Sequence, residues 1–87
     1  MAIVKKKIWP EYFEEVASGK KNFEVRLNDF DINEGDTFVL EEWDPKTKSY
    51  TGRSIEKKVT YVKKLRLDSF GQEKEIIEKG FQIISIE

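Results

Sequence analysis

Over 22–27 the chain alternates polar and apolar side chains with a period of two. Phe23, Val25 and Leu27 fall on one face of a predicted strand, and Asn22, Glu24 and Arg26 on the other. Just upstream, Tyr12, Phe13 and Val16, with Ala17, recur at helical spacing and predict a short amphipathic helix over 10–18. Pro10 suits its first turn, Glu11 and Glu14 suit its positive end, and Gly19 suits the left-handed position just past its C-terminus. Trp9 precedes the helix, where it is placed to staple onto Phe13.

Around this helix-to-strand unit the remaining elements follow in order. A first strand covers 3–8; its lysine-rich middle, Lys5, Lys6 and Lys7, marks it as an edge. Residues 28–36 are rich in Asp, Asn and Gly and form turns, with Phe30 and Ile32 tucked inward. A strand over 37–43 and a hairpin loop over 44–49 follow, and Tyr50 resumes the sheet opposite Trp43 as a cross-strand aromatic pair. The next strand covers 52–62, with Ile55, Val59 and Tyr61 in phase and Gly52 marking a bulge near its start. Ser69 and Gln72 have capping-box spacing and predict a second short helix over 70–79 that stops at Gly80; an apolar closing strand over 81–86 lies centrally. The predicted class is α+β, mainly β: about five to six mostly antiparallel strands, flanked by two short helices and curled toward a small barrel that hides the sheet edges.

Composition narrows the functional classes. Eighty-seven residues make one domain, 1–87, with a modest core. Sixteen basic and 17 acidic residues give a net charge of −1, which argues against the broad positive field of a nonspecific duplex binder and confines any nucleic-acid contact to a local groove. The chain contains neither Cys nor His, so disulfides, thiol nucleophiles, imidazole catalysis and thiolate or imidazole metal sites are excluded; no metal and no cofactor is expected. No stretch has the length or polarity of a signal peptide or a membrane span, and a soluble, cytoplasmic protein, monomeric by default and away from membranes, is the expectation.

Several blocks resemble one known family. They are Lys7-Ile8-Trp9-Pro10-Glu11-Tyr12-Phe13, Ser18-Gly19-Lys20-Lys21-Asn22-Phe23-Glu24-Val25-Arg26, Asn28-Asp29, Glu34-Gly35-Asp36, Leu40-Glu41-Glu42-Trp43-Asp44, Tyr50-Thr51-Gly52-Arg53, Val59-Thr60-Tyr61 and Gly80-Phe81. Together they resemble the ASCH domain of the PUA-like superfamily, and within it a small stand-alone subfamily of unknown function. The resemblance implies a PUA-like β-barrel whose cleft, between barrel and first helix, receives Lys21, Glu24 and Arg26 and takes up RNA or a nucleotide. Some relatives deacylate an N4-acylated cytidine with a Lys, a Thr and a Glu, and others cleave RNA. Carried over by position, the Lys falls on Lys21 and the Thr on Glu24, a departure; the distal Glu has three neighbouring candidates in Glu73, Glu75 and Glu78. Relatives of the small subfamily often carry a His where this chain has Val4, a second departure.

The residues support three readings. In a binding module, Glu24 accepts from the exocyclic amine of a base, Lys21 and Arg26 hold a phosphate or carbonyl, and Trp9 stacks on the base. In a hydrolase, Lys21 and Glu24 are the catalytic candidates, Glu24 orienting water and Lys21 or Arg26 stabilising an oxyanion. In the third reading the charged cleft docks a protein. Other residues have competing roles. Trp9 is a core staple or a base platform, Asn28 and Asp29 stabilise a turn or orient Arg26, and Arg53 is hairpin surface or a phosphate contact. Lys7, alone of the three N-terminal lysines, lies in a shared block.

Overall fold

The computed structural model of the chain describes residues 1–65 and 79–87. Its elements are β1 (Ile3–Ile8), α1 (Pro10–Ala17), β2 (Phe23–Leu27), β3 (Thr37–Asp44), β4 (Ser49–Leu65) and β5 (Phe81–Ile86). The predicted second helix, with Glu73, Glu75 and Glu78, lies outside the described residues apart from Lys79 at its end.

The helix ends are set by local chemistry. Pro10 opens α1 without losing a backbone bond, because the first N–H groups of a helix have no partner within it. At the other end Gly19 turns the chain at φ +81°, and the Lys21 N–H then bonds back to the Glu15 carbonyl at 3.0 Å. Phe13 and Val16 form the buried stripe of α1. They pack into a core with Ile8, Ile32, Phe38, Leu40, Val59, Ile84 and Ile86, against which Val4, Phe30, Ile55 and Val62 lie partly buried.

The five strands form one mixed sheet in the order β1-β3-β4-β5-β2. β1 runs parallel to β3, while β3–β4, β4–β5 and β2–β5 are antiparallel. The 17-residue β4 is the pivot: its first part pairs with β3 and its last part with β5. One extra residue, Thr60, sits where β4 passes from one partner to the other. That bulge inverts the alternation, so Tyr61 points to solvent at 55% exposure instead of continuing the inward phase of Ile55 and Val59, and Val62 takes its place against the core.

One expectation is corrected, and one question the pattern left open is decided. The sheet does not close into a barrel: β1 and β2 are its two free edges, so the strand over 23–27 is an edge while β5 is interior. The orientation of β2 is also opposite to the apolar count. Glu24 is the buried residue, and Phe23 and Val25 are 44% and 52% exposed. A carboxylate goes inward there because it finds two cationic partners, and a buried charge is tolerated when it is paired and hydrogen-bonded.

Candidate functional site

The open seam between β1 and β2 is bridged by a side chain. Arg26 Nη2, on β2, donates to the Lys7 carbonyl on β1 at 2.9 Å, while Arg26 Nε donates to Glu24 Oε2 at 2.8 Å. Lys21 Nζ donates to the other carboxylate oxygen, Glu24 Oε1, at 2.8 Å. The Lys21 ammonium also sits 5.2 Å from the centre of the Tyr12 ring. Tyr12 and Trp9 are stacked, with centroids 6.4 Å apart. Trp9 packs on Tyr12, and both aromatic residues stay nearly half exposed.

These groups surround a cleft of about 420 Å³ lined by Lys7, Ile8, Trp9, Tyr12, Lys21, Glu24, Val25 and Arg26. That volume lies within the range of small-molecule sites. The acid forms its floor: the Glu24 side chain is 3% exposed, whereas Lys21 and Arg26 are 20% and 23% exposed. Among the described residues each carboxylate oxygen accepts one bond from a cation, two of its roughly four acceptor positions. Arg26 uses two of its five N–H donors among the described residues. The cleft thus offers acceptor positions, free donors and an apolar face in one concavity.

The other candidates separate from it. Asn28 and Asp29 follow β2 and serve the turn, with the Asn28 N–H on the Gly80 carbonyl at 3.0 Å and the Asp29 N–H on the Leu27 carbonyl at 2.9 Å. Neither lines the cleft. Lys7 contributes its carbonyl to the seam, but its ammonium is turned away, 4.4 Å from the centre of the Trp43 ring and 5.7 Å from that of Tyr50. Trp43 and Tyr50 are directly paired across β3–β4, as the hairpin pattern predicted.

Arg53 belongs to a different cluster. Opposite Glu42, β4 carries two extra residues, with Gly52 at φ +94°, and this bulge turns both Thr51 and Arg53 onto one carboxylate. Arg53 Nε and Nη2 grip Glu42 at 2.9 and 2.7 Å, Thr51 Oγ1 bonds the same group at 2.5 Å, and Arg53 Nη2 reaches Glu14 on α1 at 2.6 Å. The guanidinium also lies 4.6 Å from the centre of the Phe13 ring. Arg53 holds the Glu42 carboxyl below its ordinary value of 4.5, with Thr51 adding to the effect, and Glu42 and Glu14 push the guanidinium upward. This clamp fastens α1, which carries Tyr12, to the β3–β4 hairpin. Sequence reasoning missed its acids: a Glu-rich strand followed by Thr-Gly-Arg hinted at a pairing, but only the bulge brings the groups together.

A third buried acid, Asp36, ties the N-terminus down. Its carboxylate accepts from the Ala2 N–H at 2.9 Å and from the Asn33 N–H at 2.8 Å, and these bonds hold its carboxyl below the ordinary 3.8. Among the described residues no group of His, Cys, Asp or Glu is arranged to hold a metal ion, and no helix is long and apolar enough to cross a membrane.

With this geometry in view, comparison with known proteins settles the family. The family model "Domain of unknown function (DUF3850)" matches residues 3–86. The chain belongs to this family. Among curated proteins, the "Uncharacterized 12.9 kDa protein in GpA 3'region" of Escherichia phage P2 is 39% identical over 56 residues, 64% of this chain and 50% of the relative, so the chain spans about half that relative's length. The crystal structure of hypothetical protein PH0355 superimposes with a TM-score of 0.72 at 20% identity, covering 100% of this chain and 98% of that one. At that identity the likeness is one of fold.

Proposed function

We propose that this protein is an ASCH-like, PUA-related module that recognises a base or modified nucleoside of RNA, or a nucleotide, in the cleft at the β1–β2 seam. One observation carries the reading: a buried carboxylate, Glu24, fixed between Lys21 and Arg26, lies in the same concavity as the half-exposed Trp9–Tyr12 stack. A nucleobase needs both features. Its face stacks on an aromatic ring, and its edge presents amine donors and carbonyl acceptors. In this reading the remaining acceptor positions of Glu24 take an exocyclic amine, while Arg26 and Lys21 donate to a ring carbonyl or phosphate.

The binding reading uses Lys21, Glu24, Arg26 and the Trp9–Tyr12 stack together. A hydrolase using Lys21 and Glu24 would need a side-chain nucleophile or a water oriented by Glu24; the described lining contains no Ser or Thr, which leaves the water route. A docked protein finds no counterpart feature that favours it over a base.

The test is a thermal-shift and calorimetric screen of nucleosides, nucleotides and short single-stranded RNAs, with N4-acetylcytidine included and followed for deacylation. A stabilising ligand whose affinity falls about tenfold or more in both Glu24→Gln and Trp9→Ala supports the proposal. Turnover lost in Glu24→Gln with affinity retained moves the function to the hydrolase reading. Absence of any stabilising nucleoside, nucleotide or RNA refutes it.

A further inference from the structure

The cleft has a neighbour. A trough of about 360 Å³ on the outer side of β1 is lined by Lys5, Lys6, Lys7, Arg26, Glu41 and Tyr50, and it shares Lys7 and Arg26 with the cleft. Arg26 is therefore the wall between the two concavities, with bonds to Glu24 in the cleft and to the β1 backbone. On a chain of net charge −1, the trough gathers four cations around one carboxylate. Among the described residues none of the three lysines is paired with an acid within 4 Å; instead Lys6 Nζ lies 4.0 Å from the centre of the Phe30 ring, and Lys7 Nζ lies over Trp43. Resting an ammonium on an aromatic face limits its freedom without neutralising it, and leaves its N–H donors for an anion. Beside these cations Tyr50 is 54% exposed.

We propose that the trough holds the phosphodiester next to the base seated in the cleft, so that the ligand is a single-stranded RNA of at least two nucleotides rather than a free nucleoside. Lys5, Lys7 and Arg26 take the phosphate, and the exposed ring of Tyr50 takes the following base. The inference rests on the cleft reading above and extends it by one nucleotide. Local cations beside an aromatic surface are the arrangement with which proteins track a single strand, and concentrating them in one groove serves a protein whose overall charge gives no long-range attraction.

Calorimetric titration with nucleosides, their monophosphates and the RNA dinucleotides, at about 50 and about 200 mM NaCl, tests it. The expected result is a dinucleotide binding about tenfold or more tighter than its best nucleoside. Lys5→Glu and Tyr50→Ala should each remove most of that gain while leaving nucleoside affinity within about twofold. The salt slope of dinucleotide binding should fall in Lys5→Glu by about the 0.7 expected for one phosphate contact of a single strand. A nucleoside that binds as tightly as any dinucleotide overturns the trough assignment and leaves the cleft reading standing. Dinucleotide binding that resists Glu24→Gln but yields to Lys5→Glu overturns the proposed arrangement, because the phosphate would then be held with no base in the cleft. No binding by any member of the series overturns both, and a short polyglutamate peptide that binds as tightly as RNA overturns the trough by showing general anion capture.

Discussion

Replacing Arg26 with Met tests whether its guanidinium holds the seam together. Methionine keeps the apolar stem and removes two bonds, one to Glu24 and one to the Lys7 carbonyl. It leaves Glu24, 3% exposed, with Lys21 as its remaining cation. Removing one partner of a fully buried pair costs about 3–5 kcal/mol. Here the cations are 20% and 23% exposed, so water can reach that side of the pair, and a cost of about 2–3 kcal/mol is expected. For a domain of this size each kcal/mol moves the melting temperature by about 4–8 °C, which predicts a fall of about 10–20 °C. Lys21→Met, which leaves the Arg26 bonds in place, should cost only about 1 kcal/mol. The double variant Glu24→Leu/Arg26→Met should recover at least about 1 kcal/mol relative to Arg26→Met, because the uncompensated charge is gone. Equilibrium urea unfolding followed by tryptophan fluorescence and far-UV circular dichroism measures all four proteins. An Arg26→Met variant within about 0.5 kcal/mol of the parent, or a double variant less stable than the single one, would refute the reasoning.

Acid should destabilise the fold through Glu42 and Asp36, whose folded carboxyls are held below 4.5 and 3.8. A depressed folded value contributes stability that is complete above the ordinary value and is lost as pH falls through the lowered one. Melting temperature should thus decline below pH 4.5 and more steeply below 3.8, and Glu42→Gln should flatten that decline; an unchanged acid limb in the variant contradicts the assignment. Gly52→Ala should cost about 1–2 kcal/mol in a urea titration although nothing lies within 4 Å of the added methyl, because φ of +94° strains any side-chain-bearing residue. Arg53→Lys should lower the melting temperature by several degrees, since an ammonium reproduces neither the two-pronged grip on Glu42 nor the plane over Phe13; thermal unfolding no different from the parent would show that the clamp is idle.

The elements were legible where local chemistry decides them. Pro10 and Gly19 bracket the helix, lysines mark β1 as an edge, and the turn residues of 28–36 separate β2 from β3. The period-two pattern of 23–27 also identified which side chains share a face. It could not say which face is inside, because that depends on partners distant in sequence and on a turn that delivers Lys21 to Glu24. Hydrophobicity alone favours burying Phe23 and Val25, yet a satisfied ion pair took the interior. Tyr61 was misplaced for a related reason: an extra residue at Thr60 shifts the phase, and nothing in a single strand announces it. Glu14 and Glu42 went unnoticed for the same reason, since Gly52 signals a bulge without naming what it turns Arg53 toward. The parallel pairing of β1 with β3 is equally hidden, as it needs a crossover through α1 and β2 that short-range patterns do not encode. The cleft residues Lys21, Glu24 and Arg26 were accessible because one turn and one strand carry all three.

The central claim is that Glu24, clasped by two cations, faces a sheltered cleft that receives a nucleobase. Amide, indole and arginine Nε–H nuclear magnetic resonance signals of the full chain, recorded as single-stranded RNA is added, measure this directly. The account predicts saturable shifts at the Trp9 indole, Lys21, Glu24 and the Arg26 side chain, with the outward signal of Tyr61 unmoved. Saturable binding that leaves those four sites unchanged, or shifts centred on the outer face, would contradict it.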